Sequence, residues 1–351
     1  MIPPGATIGI IGGGQLGRML ALAAAPLGYR CHIFDPHESP CAADVAASFT
    51  RAAFDDVPAL ERFAAECAVV TYEFENLPVG PLATIAGKLR PGTPSLAIAQ
   101  DRAAEKAFVE EAGASPAAWR KVDGPDDIRA AAEALGLPLV LKTRRDGYDG
   151  KGQAWLRSAD AADRLWQELG QRPLVAEQAI RFEAEFSVVL ARGADGAVAF
   201  FDSTRNIHEG GILRRSELPA GPAIERHLAE ARTHAAAIAE RLGHVGVLTV
   251  EYFACAAGPL VNEIAPRVHN SGHWTIEGAA TSQFEQHIRA ICGLPLGGTT
   301  LRASRVTMDN LIGDDIEQWP ALVADPAVNA HLYGKGEPRS GRKMGHVTRL
   351  G

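Results

Sequence analysis

The chain reads as a protein of α/β and α+β class: an N-terminal strand-helix-strand domain, a mixed middle and a small β-rich C-terminal unit. Three observations predict this. A strand, a glycine loop, a helix and a second strand follow one another from Thr7 to Asp35, apolar strand-like runs alternate with helical segments through the middle, and short strands follow Pro295. At 351 residues the chain exceeds a single small module, since domains average about 150 residues.

Composition narrows the class. With 46% hydrophobic residues, 22% charged and a net charge of −7, the chain can bury a substantial core and has no global attraction to nucleic acid or anionic membrane. Anionic small molecules stay open, because a site needs only local positive charge. The five cysteines are odd in number and never take zinc-site spacing, so a reducing cytoplasm is expected. The start has no basic leader segment, and no run approaches the roughly 18 apolar residues of a membrane span.

Taken in order, Thr7 to Ile11 is a buried strand, Gln15 to Gly28 a helix, and Tyr29 to Phe34 a strand ending at Asp35. A strand from Cys67 to Tyr72 precedes Pro78, Pro81, Pro91 and Pro94, so the first domain is expected over 1–95. The second, 96–295, starts with a helix carrying Arg102 and Lys106 and contains a mobile lid over about 115–180. Within the lid, Gly136 to Lys142 reads as a turn feeding a strand, with Gln153 to Leu156 as its partner in a long-tipped hairpin. Further strands are expected at Leu174–Glu177, Glu185–Leu190, Ala197–Asp202, Val247–Phe253 and Leu260–Ile264, with a helix over 223–242. The remainder, 296–351, is the small C-terminal unit.

Gly12-Gly13-Gly14-Gln15-Leu16-Gly17 fits G-x-G-x-x-G between strand and helix, with Asp35 near the end of the next strand. The motif suits a nicotinamide dinucleotide, another anion held at the helix N-terminus, or plain close packing. A second loop, Gly147-Tyr148-Asp149-Gly150-Lys151-Gly152-Gln153, follows Lys142. It is not a Walker A loop; it reads as a flap over nucleotide phosphates or as a solvated flexible turn.

Glu251 and Glu263 lie equidistant from Ala257 in the turn-prone Ala256-Ala257-Gly258-Pro259. Facing carboxylates in a hairpin repel unless a cation offsets them, and oxygen-only donors favour magnesium or manganese. The alternative is a surface hairpin with solvated glutamates. The polar run Pro266-Arg267-Val268-His269-Asn270-Ser271-Gly272-His273-Trp274 belongs beside a ligand rather than in a core. No H-E-x-x-H or G-x-S-x-G pattern supports zinc or serine chemistry. Near the end, Lys335, Arg339, Arg342, Lys343 and Arg349 form either a phosphate clamp or a solvated tail. Glu73 and Glu75 follow the Cys67–Tyr72 strand and suit ribose hydroxyls, an amine or a helix cap.

Together GGGQLGRM, GYDGKGQ, NEIAPRVHNSGHWT and GRKMGH resemble the ATP-grasp superfamily, and within it the carboxyaminoimidazole ribonucleotide synthetases, nearly end to end. The resemblance implies an ATP-grasp fold with an N-terminal Rossmann-like (pre-ATP-grasp) domain. It also implies ATP contacts from Arg102, Lys142, Gly147, Tyr148, Asp149, Gly150, Lys151, Gly152, Gln153, Glu177, Gln178, Ala179, Ile180, Glu185, His208, Asn262 and Glu263. Glu177 and the backbone of Ala179 would receive adenine and Glu185 the ribose. Glu251 and Glu263 would hold Mg2+ or Mn2+, although Ala265 departs from the E-x-N pattern of many relatives. Gln15, Leu16, Glu73, Tyr148, Asp149, Arg267, His269, Asn270, Lys335, Arg342 and Lys343 would hold the ribonucleotide. The glycine loop thereby moves from a dinucleotide to the ribonucleotide side.

The implied reaction joins bicarbonate to aminoimidazole ribonucleotide at the expense of ATP, with Lys142, Arg267 and His269 in the chemistry. The implied setting is a cytoplasmic homodimer that binds neither nucleic acid nor membrane and passes its product to a separate mutase. Three alternatives compete: a formate-using glycinamide ribonucleotide transformylase, a nicotinamide oxidoreductase and a non-catalytic nucleotide-binding regulator.

Overall fold

A computed structural model describes residues 1–147 and 151–351. The expected flap residues Tyr148, Asp149 and Gly150 lie outside the described residues. The N-terminal domain is a parallel sheet of β1 (Thr7–Ile11), β2 (Arg30–Asp35), β3 (Ser48–Arg51) and β4 (Val69–Tyr72), ordered β3-β2-β1-β4. Its central strands, β1 and β2, are almost wholly buried, which is why β1 reads as a nearly unbroken apolar run. The helix expected to reach Gly28 spans Gln15–Ala24. Pro26 lies in the single 3-10 turn that follows, and Gly28, at φ 80°, reverses the chain into β2.

The lid segment has its own antiparallel sheet. β5 (Trp119–Val122), β6 (Leu139–Thr143), β7 (Gln153–Leu156) and β8 (Leu174–Gln178) are ordered β5-β8-β6-β7, with Lys142 opposite Gln153 as the hairpin reading requires. Helices Pro125–Leu135 and Ala162–Glu168 close a separate core around Ile128, Leu139, Leu141, Leu156 and Leu165.

The rest builds one sheet from β9 (Ala184–Arg192), β10 (Val198–Phe200), β11 (Arg205–Glu209), β12 (Ile212–Leu218), β13 (Gly246–Cys255), β14 (Gly258–Ala265), β15 (Val306–Ile312), β16 (Val328–Leu332) and β17 (Lys343–Leu350). The order is β14-β13-β9-β11-β12-β15-β17-β16, with β10 beside β9. The C-terminal segment is β-rich as expected, and β15 continues the sheet from β12. The β11–β12 hairpin had no counterpart in the sequence reading, because Arg205-Asn206-Ile207-His208-Glu209 offers one apolar residue in five. The helix expected over 223–242 is two, Pro222–Glu225 and Leu228–Arg241, and the break turns Arg226 onto Glu183.

Helix Gln283–Cys292 bolts the N-terminal domain to this sheet. Phe284, Ile288 and Ile291 share one core with Leu16, Met19 and Leu20 of the first helix and Val189 and Val247 of the sheet, each fully buried large side chain contributing about 2 kcal/mol. Beside them, Thr71 Oγ1 and His287 Nε2 meet at 2.8 Å in a buried hydrogen bond. Among the described residues no helix is long and apolar enough to cross a membrane.

Candidate active site

The first glycine loop answers its own ambiguity. The Gly13 N–H donates to Asp35 Oδ2 at 2.7 Å and the Gly14 N–H to Glu73 Oε1 at 2.9 Å. Two internal carboxylates therefore take the donors that a dinucleotide pyrophosphate would need, and Asp35, buried under the loop, is unavailable to a ribose. A Cβ at Gly12 or Gly14 would lie 2.8 or 2.7 Å from the Glu73 side chain, so the glycines permit this close approach. Glu73 caps the first helix from the end of β4; it does not cap the helix that follows it. Burial pushes its carboxyl upward against the pull of the Gly14 N–H and Arg267.

Two cavities, of about 370 and 830 Å³, meet between the three units. The smaller is lined by Lys142, Lys151 and Gln153 of the lid hairpin, Glu185 and His208 of β9 and β11, and Glu251, Asn262 and Glu263 of β13 and β14. The larger is lined by Gln15, Leu16 and Glu73 of the N-terminal domain, by Gly147, by Arg267, and by Lys335, Arg339 and Arg342 of the basic loop. Arg102, Lys151, Glu263, His269, Asn270 and Lys343 line both. Arg349 of the basic run lies further along β17, opposite Thr307, and pairs with Asp309 at 3.4 Å.

In the smaller cavity Glu251 faces Glu263 across the hairpin, and the way they meet is specific. From Cys255–Gly258 to Tyr252–Val261 the register would pair Glu251 with Asn262. A bulge between Glu251 and Tyr252 shifts it by one and brings the two carboxylates together. Burial and the facing Glu263 push Glu251 up to about 8. His269 Nε2 stands 3.2 Å from Glu251 and Arg102 stands 3.6 Å from Glu263. Nearby, His208 pairs with Glu185 at 2.5 Å; burial lowers its basicity, but that contact and the surrounding carboxylates raise it overall.

The polar turn after β14 crosses between the cavities. Burial, Arg267, Lys343 and His208 hold the His269 imidazole well below its ordinary range, so it is neutral, with Nδ1 at 2.8 Å from Ser271 Oγ. Both amide atoms of Asn270 are buried at the junction with no hydrogen-bond partner among the described residues. Arg267 pairs with Glu75 at 2.9 Å and stays charged, since Glu75 and Glu73 outweigh its burial.

The chain matches the ATP-grasp domain over residues 107–284, the ribonucleotide synthetase preATP-grasp domain over 5–100 and the phosphoribosylaminoimidazole carboxylase C-terminal domain over 307–351. It is 49% identical to the N5-carboxyaminoimidazole ribonucleotide synthase of Brucella melitensis, over 99% of this chain and 97% of that protein. It is 43% identical to that of Pseudomonas aeruginosa, over 97% and 93%. The chain belongs to the N5-carboxyaminoimidazole ribonucleotide synthases. Among solved structures, an ADP complex of this enzyme superposes with TM-score 0.94 at 42% identity, over 100% of this chain and 94% of that one. The Aspergillus clavatus enzyme with ADP and 5-aminoimidazole ribonucleotide gives 0.92 at 29%, over 99% and 94%.

Not every residue implied by that family lies at a cavity wall here. Glu177 is buried between Lys142 at 2.9 Å and Lys106 at 3.2 Å; burial raises its carboxyl, but the lysines outweigh this and hold it at about 2. Of the Ala179 backbone, from which an adenine contact is expected, the N–H donates to the Pro138 carbonyl at 3.2 Å. Glu177, Gln178, Ala179 and Ile180 line neither cavity. Gly152 backs the flap, where its φ of +70° and the Thr143 hydroxyl 2.6 Å from an added Cβ demand glycine. Sequence reasoning missed Gly211, Leu213 and Phe253 of the smaller cavity and Phe74 and Glu105 of the larger. The first two sit on the unforeseen β11–β12 hairpin. Glu105, whose carboxylate accepts the Ile264 N–H at 2.6 Å, was signalled only by an acid on the buried face of a helix.

Proposed function

We propose that this protein carboxylates 5-aminoimidazole ribonucleotide with bicarbonate and ATP, giving N5-carboxyaminoimidazole ribonucleotide, ADP and phosphate. The observation that carries the reading is the junction of two cavities at Arg102, Glu263, His269, Asn270 and Lys343, one suited to a nucleotide and the other to a second anion. The Aspergillus clavatus complex with ADP and 5-aminoimidazole ribonucleotide supports that division.

Bicarbonate is a poor acyl donor at neutral pH. Its oxygen attacks the γ-phosphorus, ADP leaves, and the resulting carboxyphosphate breaks into phosphate and carbon dioxide. The exocyclic amine then adds to the carbon and loses a proton. The protein's part is to position the reactants and match charge. Lys142 and Lys151 line the nucleotide side, and Arg267, charged and at the wall of the larger cavity, suits the bicarbonate and carboxyphosphate. The departing phosphate and His269 are the two candidates for the amine proton; burial and the neighbouring cations make the imidazole a weak base, which favours the phosphate.

Glu251 and Glu263 fit a hard dication: they are opposed across the hairpin, offer only oxygen donors and are partly buried. Magnesium needs only one or two carboxylates when phosphates complete its shell, and bound there it would neutralise charge on the transferred phosphoryl group. Closure of the lid over 115–180 would keep water from carboxyphosphate. We further propose a cytoplasmic homodimer whose labile product passes to a separate mutase.

The test is phosphate release from ATP, measured with and without both bicarbonate and 5-aminoimidazole ribonucleotide. Release should rise steeply only with both present. Equal rates without the ribonucleotide, or stimulation by formate with glycinamide ribonucleotide, would overturn the assignment.

A further inference from the structure

The turn between the cavities belongs to no sheet, so the peptide groups of His269 need partners from elsewhere. One side chain serves both, beside the Gly272 N–H that also donates to the His269 carbonyl at 3.0 Å. The His269 N–H donates to Gln283 Oε1 at 2.9 Å, and Gln283 Nε2 donates to the His269 carbonyl at 2.6 Å, the two-way bonding that a neighbouring β-strand would give. Gln283 is fully buried at the start of helix Gln283–Cys292. Its Nε2 also lies 3.1 Å from His273 Nδ1, and its own N–H donates to Thr275 Oγ1, which donates to the Gly272 carbonyl. A Cβ at Gly272 would come within 2.6 Å of Gln283 Oε1, so that glycine exists to let the amide in. The same helix is tied to β4 through His287 and Thr71.

We infer that Gln283 is a positioning residue for the catalytic turn. Its amide fixes the backbone of His269 and thereby aims the imidazole at Glu251 and Asn270 into the junction of the cavities. The inference rests on the proposed reading that His269 and Asn270 border the reacting groups. An amide is required because donor and acceptor are both used. A carboxylate of the same length keeps the acceptor but sets an oxygen against the His269 carbonyl, and a thioether of similar length keeps neither bond. Most of the nucleotide wall, Lys142, Glu185, Glu251 and Glu263 among it, stands on strands, so ADP affinity should change far less than turnover.

The test compares Gln283→Glu and Gln283→Met with the native protein in turnover, ADP affinity, melting temperature and the histidine-ring NMR resonance that disappears in His269→Gln. Turnover should fall roughly tenfold or more in both variants, since small misplacements of reacting groups are costly, while ADP affinity stays within twofold and the His269 resonance moves. Turnover within twofold of native in both variants would overturn the inference. So would an unmoved His269 resonance, or ADP affinity and melting temperature falling in step with turnover. The function reading fails separately, if the native protein shows no ribonucleotide-stimulated phosphate release; the His269 resonance then still decides the role of Gln283.

Discussion

The two walls of the cleft are built on different principles. On the nucleotide side, Lys142, Glu185, Glu251 and Glu263 sit on strands whose registers fix them, and neighbouring charges are already matched as Lys142–Glu177–Lys106 and His208–Glu185. On the side proposed for the ribonucleotide, Glu73, Arg267, Lys335 and Arg342 come from loops, with Gln15 at the start of the first helix, and packing between three units brings them together. Strand-borne groups are aimed locally, whereas loop-borne groups depend on contacts far away in sequence. The walls should therefore fail in different ways when perturbed.

The largest effect is expected where the walls meet. Glu263→Gln keeps the shape of the hairpin and relieves the repulsion with Glu251, so the fold should hold while turnover drops by roughly a thousandfold for want of the second carboxylate. Steady-state kinetics beside a melting curve decide it; near-native turnover would remove the metal assignment. A smaller, selective effect separates the walls. Lys142→Met should raise the KM for ATP about tenfold or more with little change for the ribonucleotide, because a charge-assisted phosphate contact is worth about 1.5–3 kcal/mol. Lys335→Met, on the other wall and over the Tyr333 ring at 5.7 Å, should do the reverse. If either substitution raised both constants equally, the division of the cleft would be wrong.

This division also explains what the sequence disclosed. The Glu251–Glu263 pairing was legible because both strands are apolar runs flanking a turn, although the bulge that produces it carries no sequence signal. The glycine loop was legible as a turn between strand and helix. Its occupant was not, because the carboxylates that fill it come from Asp35 and Glu73, and the latter follows a separate strand. A basic run reads as one patch, yet Lys343 reaches the cleft while Arg349, further along β17, pairs with Asp309. Gln283 was silent because a glutamine opening a helix looks like any polar surface residue until its burial is known.

The smallest expected effect concerns acid, and it tests whether the loop-borne wall depends on distant packing. His287 accepts the Val247 N–H at Nδ1 and meets Thr71 at Nε2, while His244 joins Ser95 to the Val247 carbonyl. Burial holds His287 at about 3 and His244 at about 4, against about 6.5 in the unfolded chain. Between those values the unfolded chain binds more protons than the folded one, so stability is fully present above pH 6.5 and declines as pH falls below it. Each imidazole should cost on the order of 1 kcal/mol over the first pH unit. Glu177, held at about 2, keeps its lysine contacts throughout that window. Near pH 5.5 the junction between β4 and helix Gln283–Cys292 should therefore loosen first. Affinity for 5-aminoimidazole ribonucleotide, corrected for the phosphate's own titration, should weaken before affinity for ADP, and calorimetric titration of both ligands from pH 8 to 5 measures this. Parallel losses would mean that the two walls share one source of order.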